Sequence, residues 1–305
     1  MKHREDTWGW ILAIDFFFAG MGGAMLVIAG LIDLFVGPGS ISMLGNFAAP
    51  VFVAMGASLL ILELGRPFQS WRVFMNPKSI IGFGAWCMAV AIGCGFIYAS
   101  FGLSSLPWAS VVLLRQLVAI VGIVAGLIVA TYPGVLLARH KARPFWTGPG
   151  MIVLFMLSSL VTGVAGHMLA GFILPAAFMD VLANMRWIAA GLLALELILW
   201  PGYVWVKRTG ATTREAEAVQ SWISGNYAAA FWGGLLGAGT LLPLGLMLLP
   251  GAVFQVIGAL LVLFGGALMR WNVIYSGETR TWLPGEEKYR ANLPLGDEAF
   301  LQAWK

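Results

Sequence analysis

Residues 63–86 read ELGRPFQSWRVFMNPKSIIGFGAW. Glu63 and Arg66 close one long apolar run. Arg72 and Lys78 sit in a short amphipathic loop, and a second apolar run opens at Ser79. Charge at a membrane boundary is costly and rarely idle. Glu63 and Arg66 stand three residues apart, on one face of a helix end. They are expected to form a structural ion pair that ends the second helix and shapes the loop.

The rest of the chain repeats this alternation. Of 305 residues, 60% are hydrophobic and 10% charged, where a soluble domain carries about 25% charged residues. Mean hydropathy is +0.86. Soluble packing cannot bury this much apolar surface, so lipid must be part of the solvent. The apolar runs are continuous and long enough to cross a bilayer as helices. A β-barrel would instead alternate polar and apolar residues in segments of about ten. The expected fold class is an all-α integral membrane protein with eight transmembrane helices, at about 8–36, 45–65, 79–101, 109–138, 149–174, 181–206, 226–249 and 252–275. Two four-helix bundles fit that spacing. Residues 276–305 form a polar tail, read as a surface strap. The first run is too long for a signal peptide and lacks a small-residue cleavage site, so the N-terminus is expected to stay on the first span.

Sixteen of the 18 Lys and Arg residues fall on the face that carries both termini. That set includes Arg143, Lys207 and Arg270; only Arg115 and Arg186 are read as lying inside spans. The positive-inside rule then puts both termini in the cytoplasm. The sequence pI of 9.2 is read as orientation charge rather than nucleic-acid binding, because no soluble basic patch is interleaved with aromatics. The 14 Trp residues mostly flank the spans, as interfacial belts do. Cys87 and Cys94 share one apolar run and cannot ligate an iron–sulfur cluster by themselves. His167 is the only histidine within a span, since His3 and His140 lie in polar segments. A bis-histidine haem b site is therefore not expected, nor is a metal site.

Several polar residues lie within or at the ends of spans, and each needs a partner, a cavity or a task. Asp15 is about two turns into the first span. Tyr132 lies near the same face on the fourth, in the break Thr131-Tyr132-Pro133-Gly134. A carboxylate and a phenol at similar depth are able to bind a quinone oxygen and exchange its proton. An interfacial tyrosine and a snorkelling aspartate are the plainer alternative. Gly20, in Gly20-Met21-Gly22-Gly23, leaves room for a flat ligand, although close helix packing explains most such glycines. Glu196, Arg186, Arg115, His167 and Asp33 are candidates for a proton path, with interhelical pairing as the alternative.

Five motifs carry a family resemblance: Glu63-Leu64-Gly65-Arg66-Pro67; Trp71-Arg72 followed by Asn76-Pro77-Lys78-Ser79; Gly84-Ala85-Trp86; Tyr132-Pro133-Gly134-Val135-Leu136-Leu137; and Arg143-Pro144-Phe145-Trp146. In order and spacing the chain resembles the NrfD family, which includes the membrane subunit of polysulfide reductase. The resemblance implies an eight-helix, quinone-reactive subunit of the bacterial or archaeal cytoplasmic membrane with no redox cofactor of its own. It implies electron exchange between menaquinone or ubiquinone and a four-cluster ferredoxin-like iron–sulfur partner. That partner would serve a catalytic subunit of molybdopterin type or, in some relatives, a multihaem cytochrome c. The family's first-helix polar position matches Asp15, its fourth-helix tyrosine matches Tyr132, and its intramembrane glutamate and arginine match Glu196 and Arg186. In the family the catalytic partners often sit outside the cell on the face that holds the termini, whereas the charge rule makes that face cytoplasmic here.

The expected function is therefore that of a quinone-binding subunit of a respiratory oxidoreductase complex, with no catalytic residue for substrate chemistry in this protein. An ion-translocating module and a plain membrane anchor are the alternatives.

Overall fold

The computed structural model describes residues 9–63, 67–139, 143, 145–175, 179–209 and 213–276. The expected Glu63–Arg66 pair, His3, His140 and the tail beyond Ser276 fall outside these residues. The described residues are helical, with no strand. In sequence order they form α1 (Trp10–Phe35), α2 (Met43–Glu63), a 3-10 segment (Pro67–Met75), α3 (Ile80–Ser100), α4 (Val112–Ala138), α5 (Gly150–Ile173), α6 (Met179–Thr209), α7 (Thr213–Ile223), a π-helical segment (Ala230–Leu241), α8 (Leu242–Leu248) and α9 (Ala252–Ser276). Eight helical stretches are long and apolar enough to span a membrane; α7 is not among them, and the π-helical segment and α8 together make the seventh. The outward surface is apolar: Leu113, Ile198 and Val253 are each 69% exposed. Only lipid makes that surface inexpensive.

α1 sits at the centre. Of its most apolar window 72% is buried, against 67% for α5 and 28–39% for the other six spans. It contacts α2, α4, α5 and α9, while α2, α3 and α4 follow one another as neighbours, as do α5, α6, the seventh span and α9. Small residues permit this. A side chain added at Gly23 would strike the backbone of α4 at Gly126, and one at Gly22 would strike α2 at Ala49 and Val53. Dispersion between closely apposed backbones holds helices together where lipid removes most of the hydrophobic drive.

Residues 67–86 fold as a clip. Ser79 caps α3, its hydroxyl accepting from the Gly82 amide at 3.0 Å, which satisfies an otherwise orphan donor. Trp86 donates Nε1–H to the Phe74 carbonyl at 3.1 Å and packs edge-on against the Phe74 ring. The motif thus ties the 3-10 segment to the start of α3. At the other end of the bundle, Gly37 turns the backbone out of α1 at φ +122°, a conformation that only glycine adopts without strain.

Two expectations are corrected, and two features are added. Tyr132-Pro133-Gly134 does not break the fourth span. α4 runs through it, and Thr131 Oγ1 donates back to the Leu127 and Ile128 carbonyls. The polar connection after α6 holds a helix, α7, whose Ala218, Val219 and Trp222 are buried. The tryptophans are not all interfacial: Trp146, Trp200 and Trp222 are fully buried, and Trp222 stacks on both Phe145 and Trp200. The seventh span is π-helical for twelve residues. The Leu242 amide bonds to the Gly237 carbonyl five residues back, and Thr240 Oγ1 bonds to the Leu235 carbonyl. The wide turn is glycine-rich and brings Gly239 against Gly265 of α9, where no side chain would fit.

Candidate functional site

Asp15 and Tyr132 lie at the end of the bundle where α1 begins and α9 stops. Neither reaches the surface: Asp15 is 0% and Tyr132 4% exposed, so the snorkelling alternative does not describe them. The Asp15 carboxylate is close enough to act electrostatically on the Tyr132 hydroxyl. Glycines make the space. A side chain at Gly84 of α3 would collide with the Tyr132 ring at 2.5 Å. One at Gly56 of α2 would meet Asp15 Oδ1 at 3.0 Å. Four helices therefore surround the pair, two giving the functional groups and two giving room. The Tyr132 hydroxyl is buried and has no hydrogen-bond partner among the described residues.

An apolar cavity of about 100 Å³ adjoins this place, between α2, the 3-10 segment and α3. Ala57, Leu60, Phe74, Ala85 and Met88 line it. Ala57 and Ala85 directly follow Gly56 and Gly84, so the cavity wall and the room around Asp15 and Tyr132 come from the same helix turns. The donor set suits a ligand carrying ring oxygens and an apolar tail. A phenol can donate to a carbonyl oxygen, and a carboxylate can accept from a hydroxyl.

Across α1 from Tyr132 lies a second polar centre. Arg270 of α9 is 0% exposed. It is not an orientation charge at the surface, as its place near the end of the last span suggests, but a residue inside the bundle. Its guanidinium donates to the Phe16 carbonyl (3.0 Å), Ser158 Oγ (3.2 Å), Ser159 Oγ (2.9 Å) and the Gly266 carbonyl (2.8 Å). Gly20 belongs to this centre. The space it leaves is taken by Ser159 Oγ and Arg270, at 2.6 and 3.0 Å from where a β-carbon would stand. Glu196 of α6 lies within electrostatic reach of Arg270, with Ser158 and Trp200 beside its carboxylate. Arg143 and Lys207, also read as orientation charges, are each 8% exposed. Arg143 lies over the Trp146 ring, and Lys207 pairs with Glu215.

The other proton-path candidates do not join Glu196, and only Arg115 and Asp33 among them are paired with each other. Arg115 Nε pairs with Asp33 Oδ2 at 3.1 Å, joining α4 to α1 at the opposite end of the bundle. His167 Nε2 hydrogen-bonds the Met25 carbonyl at 2.8 Å, and its Nδ1 has no partner among the described residues. Arg186 lies over the Trp187 ring and reaches the Leu249 carbonyl at 3.4 Å. Ten residues of one helix separate Arg186 from Glu196, about 15 Å along the axis, and it is Arg270 that faces Glu196. Among the described residues no group of His, Cys, Asp and Glu side chains is placed to hold a metal.

The signal for Arg270 exists in the sequence but is faint. It stands six residues before the end of the last span, and Ser158-Ser159 with Thr162 puts three hydroxyls into an otherwise apolar run. Reading those two together would have suggested a buried cation.

The C subunit of polysulfide reductase from Wolinella succinogenes is 26% identical over 307 aligned residues, covering 91% of this sequence and 96% of that one. The family model for polysulphide reductase, NrfD, matches residues 2–281, from before α1 to past α9. Every motif of the resemblance lies inside that match. The chain is a multi-pass membrane protein and belongs to the NrfD polysulphide reductase family.

Proposed function

We propose that this protein is the quinone-reactive membrane subunit of a respiratory oxidoreductase, binding quinone or quinol between α1, α2, α3 and α4 at Asp15 and Tyr132. One observation carries this reading. A buried phenol without a partner among the described residues stands beside a buried carboxylate and next to an apolar cavity. A buried polar group left unpaired costs about 1–3 kcal/mol, and a ligand oxygen would remove that cost. A quinol supplies two electrons and two protons. Tyr132 donates a hydrogen bond to the bound ring oxygen, Asp15 accepts the two protons in turn and passes each on before the next, and Gly56 and Gly84 keep both side chains clear of α2 and α3. The electrons pass to an iron–sulfur partner subunit, of the four-cluster ferredoxin-like kind, docked where α1 begins. A catalytic subunit, of molybdopterin type before multihaem cytochrome, lies beyond it. The setting is a bacterial or archaeal cytoplasmic membrane, with both termini cytoplasmic by the charge rule. The name of the Wolinella relative, one lettered component of a reductase, fits a multisubunit assembly.

The test is quinol-dependent reduction of the partner's clusters in the purified complex. Tyr132→Phe and Asp15→Asn are expected to slow it and to weaken quinone binding. Unchanged turnover and affinity in both variants would overturn the site.

A second reading, proton translocation, is favoured by a different observation. Arg270 bonds the Phe16 carbonyl, one residue from Asp15, and faces Glu196. A route from the Asp15 site into α5 and α6 would start there, with His167, Arg186 and the Asp33–Arg115 pair further along. Glu196→Gln is then expected to stop proton movement in proteoliposomes while quinone binding survives. Proton movement at the unmodified rate would reject this route.

A further inference from the structure

A cavity of about 600 Å³ opens between the start of α5, the last turns of α6, and α7. Its size is within the roughly 300–1,000 Å³ of pockets that hold small molecules. The family's signature residues do not line it, and the Asp15–Tyr132 site lies among other helices. The walls are apolar, with Leu154, Leu199 and the Tyr203 ring among them. Gly202 faces the cavity, and a β-carbon there would meet nothing within 4 Å. The mouth opens sideways: the wall residues Val153 and Val206 are 42% and 64% exposed, on a surface that lipid covers.

One end is polar. Lys207 donates to Glu215 Oε1 and to the Thr147 carbonyl, both at 2.5 Å. Exposed Arg208 follows it. Exposed Arg139 is next to Ala138, whose carbonyl accepts from the amide of the wall residue Gly148 at 3.5 Å. Lys207 and Glu215 line this end as a pair, and Arg139 and Arg208 adjoin it along the backbone. A quinone headgroup would find the donors engaged, since the Tyr203 hydroxyl donates to the Phe145 carbonyl and Lys207 to Glu215 and Thr147. An acyl tail needs no donor, and a phosphate suits a surplus of positive charge at a membrane boundary.

We infer that this cavity is a phospholipid site. One acyl tail lies along Leu154, Leu199 and Gly202, and the headgroup phosphate sits at exposed Arg139 and Arg208, beyond the Lys207–Glu215 pair. The lipid joins the ends of α5 and α6 to α7 and so braces the cap over this part of the bundle.

Two measurements on the full-length protein decide it. Gly202→Phe fills the cavity. Gly191→Phe on the same helix, where a β-carbon also meets nothing within 4 Å, is the control outside it. Native mass spectrometry is expected to show one phospholipid fewer on Gly202→Phe than on the unmodified protein or on Gly191→Phe. Equal phospholipid on all three would overturn the inference. So would loss of a bound quinone from Gly202→Phe with phospholipid unchanged. If Gly202→Phe does not fold, the unmodified protein in nanodiscs with a phospholipid bearing a photoreactive acyl tail gives the answer. Adducts are expected on 153–154 and 199–206. Labelling spread evenly over the outer helix faces would reject a defined site.

Discussion

Tyr132 and Arg270 flank the same stretch of α1, yet their polar atoms meet opposite treatment. Arg270 is a full charge taken out of water and lipid, and it donates four hydrogen bonds to three helices. Tyr132 is a neutral phenol with one proton, and its hydroxyl has no hydrogen-bond partner among the described residues. Burying a charge is the harder task, yet that is the one the fold completes. A fully bonded buried group belongs to the architecture. An unbonded one, held by glycines that keep it clear, fits a place for something else.

The contrast makes its largest prediction at Arg270. Arg270→Met removes the donors from Ser158, Ser159 and two backbone carbonyls and leaves Glu196 without its cation. Breaking a buried ionic centre costs about 3–5 kcal/mol. A large fall in the thermal midpoint of the purified protein, or failure to accumulate, is expected. An unmoved midpoint would erase the distinction between the two regions.

Tyr132→Phe should do the reverse. Quinol-dependent turnover is expected to fall about 100-fold, the lower end of what a positioned hydrogen-bond donor contributes. The thermal midpoint should hold or rise, because an unbonded hydroxyl is lost. Gly84→Ala approaches the same region from outside. The added methyl meets the Tyr132 ring at 2.5 Å, so the ring must move, and a loss of about tenfold in turnover is expected from misplacement. Full activity in Gly84→Ala would show that ring position is unimportant. The smallest effect belongs to Arg115→Gln. Asp33 loses its partner at the far end of the bundle, at a cost of about 1–2 kcal/mol, and turnover should stay unchanged. A turnover defect there would extend the functional region to the opposite face.

The span count was legible because hydropathy over some twenty residues reports directly on what a bilayer accepts. Glu63 to Ser79 and Gly84 to Trp86 were legible as family text. In the described part of that stretch, Ser79, Phe74 and Trp86 fasten the loop to α3. Asp15 and Tyr132 were legible as candidates, but their full burial was not, since residue type cannot distinguish a snorkelling carboxylate from an enclosed one. Arg270 was misplaced for a related reason. Near the end of a span, a surface cation and a buried one give the same hydropathy trace, and only its partners on α1 and α5 separate them. The π-helical turns were hidden because they depend on contact between Gly239 and Gly265, which belong to different helices and share no local pattern. α7 was hidden by its polar outer face.

The bond from Arg270 to the Phe16 carbonyl joins positions 254 residues apart. It therefore also sets an order of assembly. α1 enters the membrane first, and its small-residue face can pair early with α2 and α4. Its contact with the last helix must wait until nearly the whole protein has been made. Loop closure over such a separation is slow, and during that interval Ser158 and Ser159 lack their cation. Products truncated before α9 should consequently insert but remain open on one side of α1, recognisable to membrane proteases. The final helix acts as a completion signal, closing the bundle only when synthesis has reached its end.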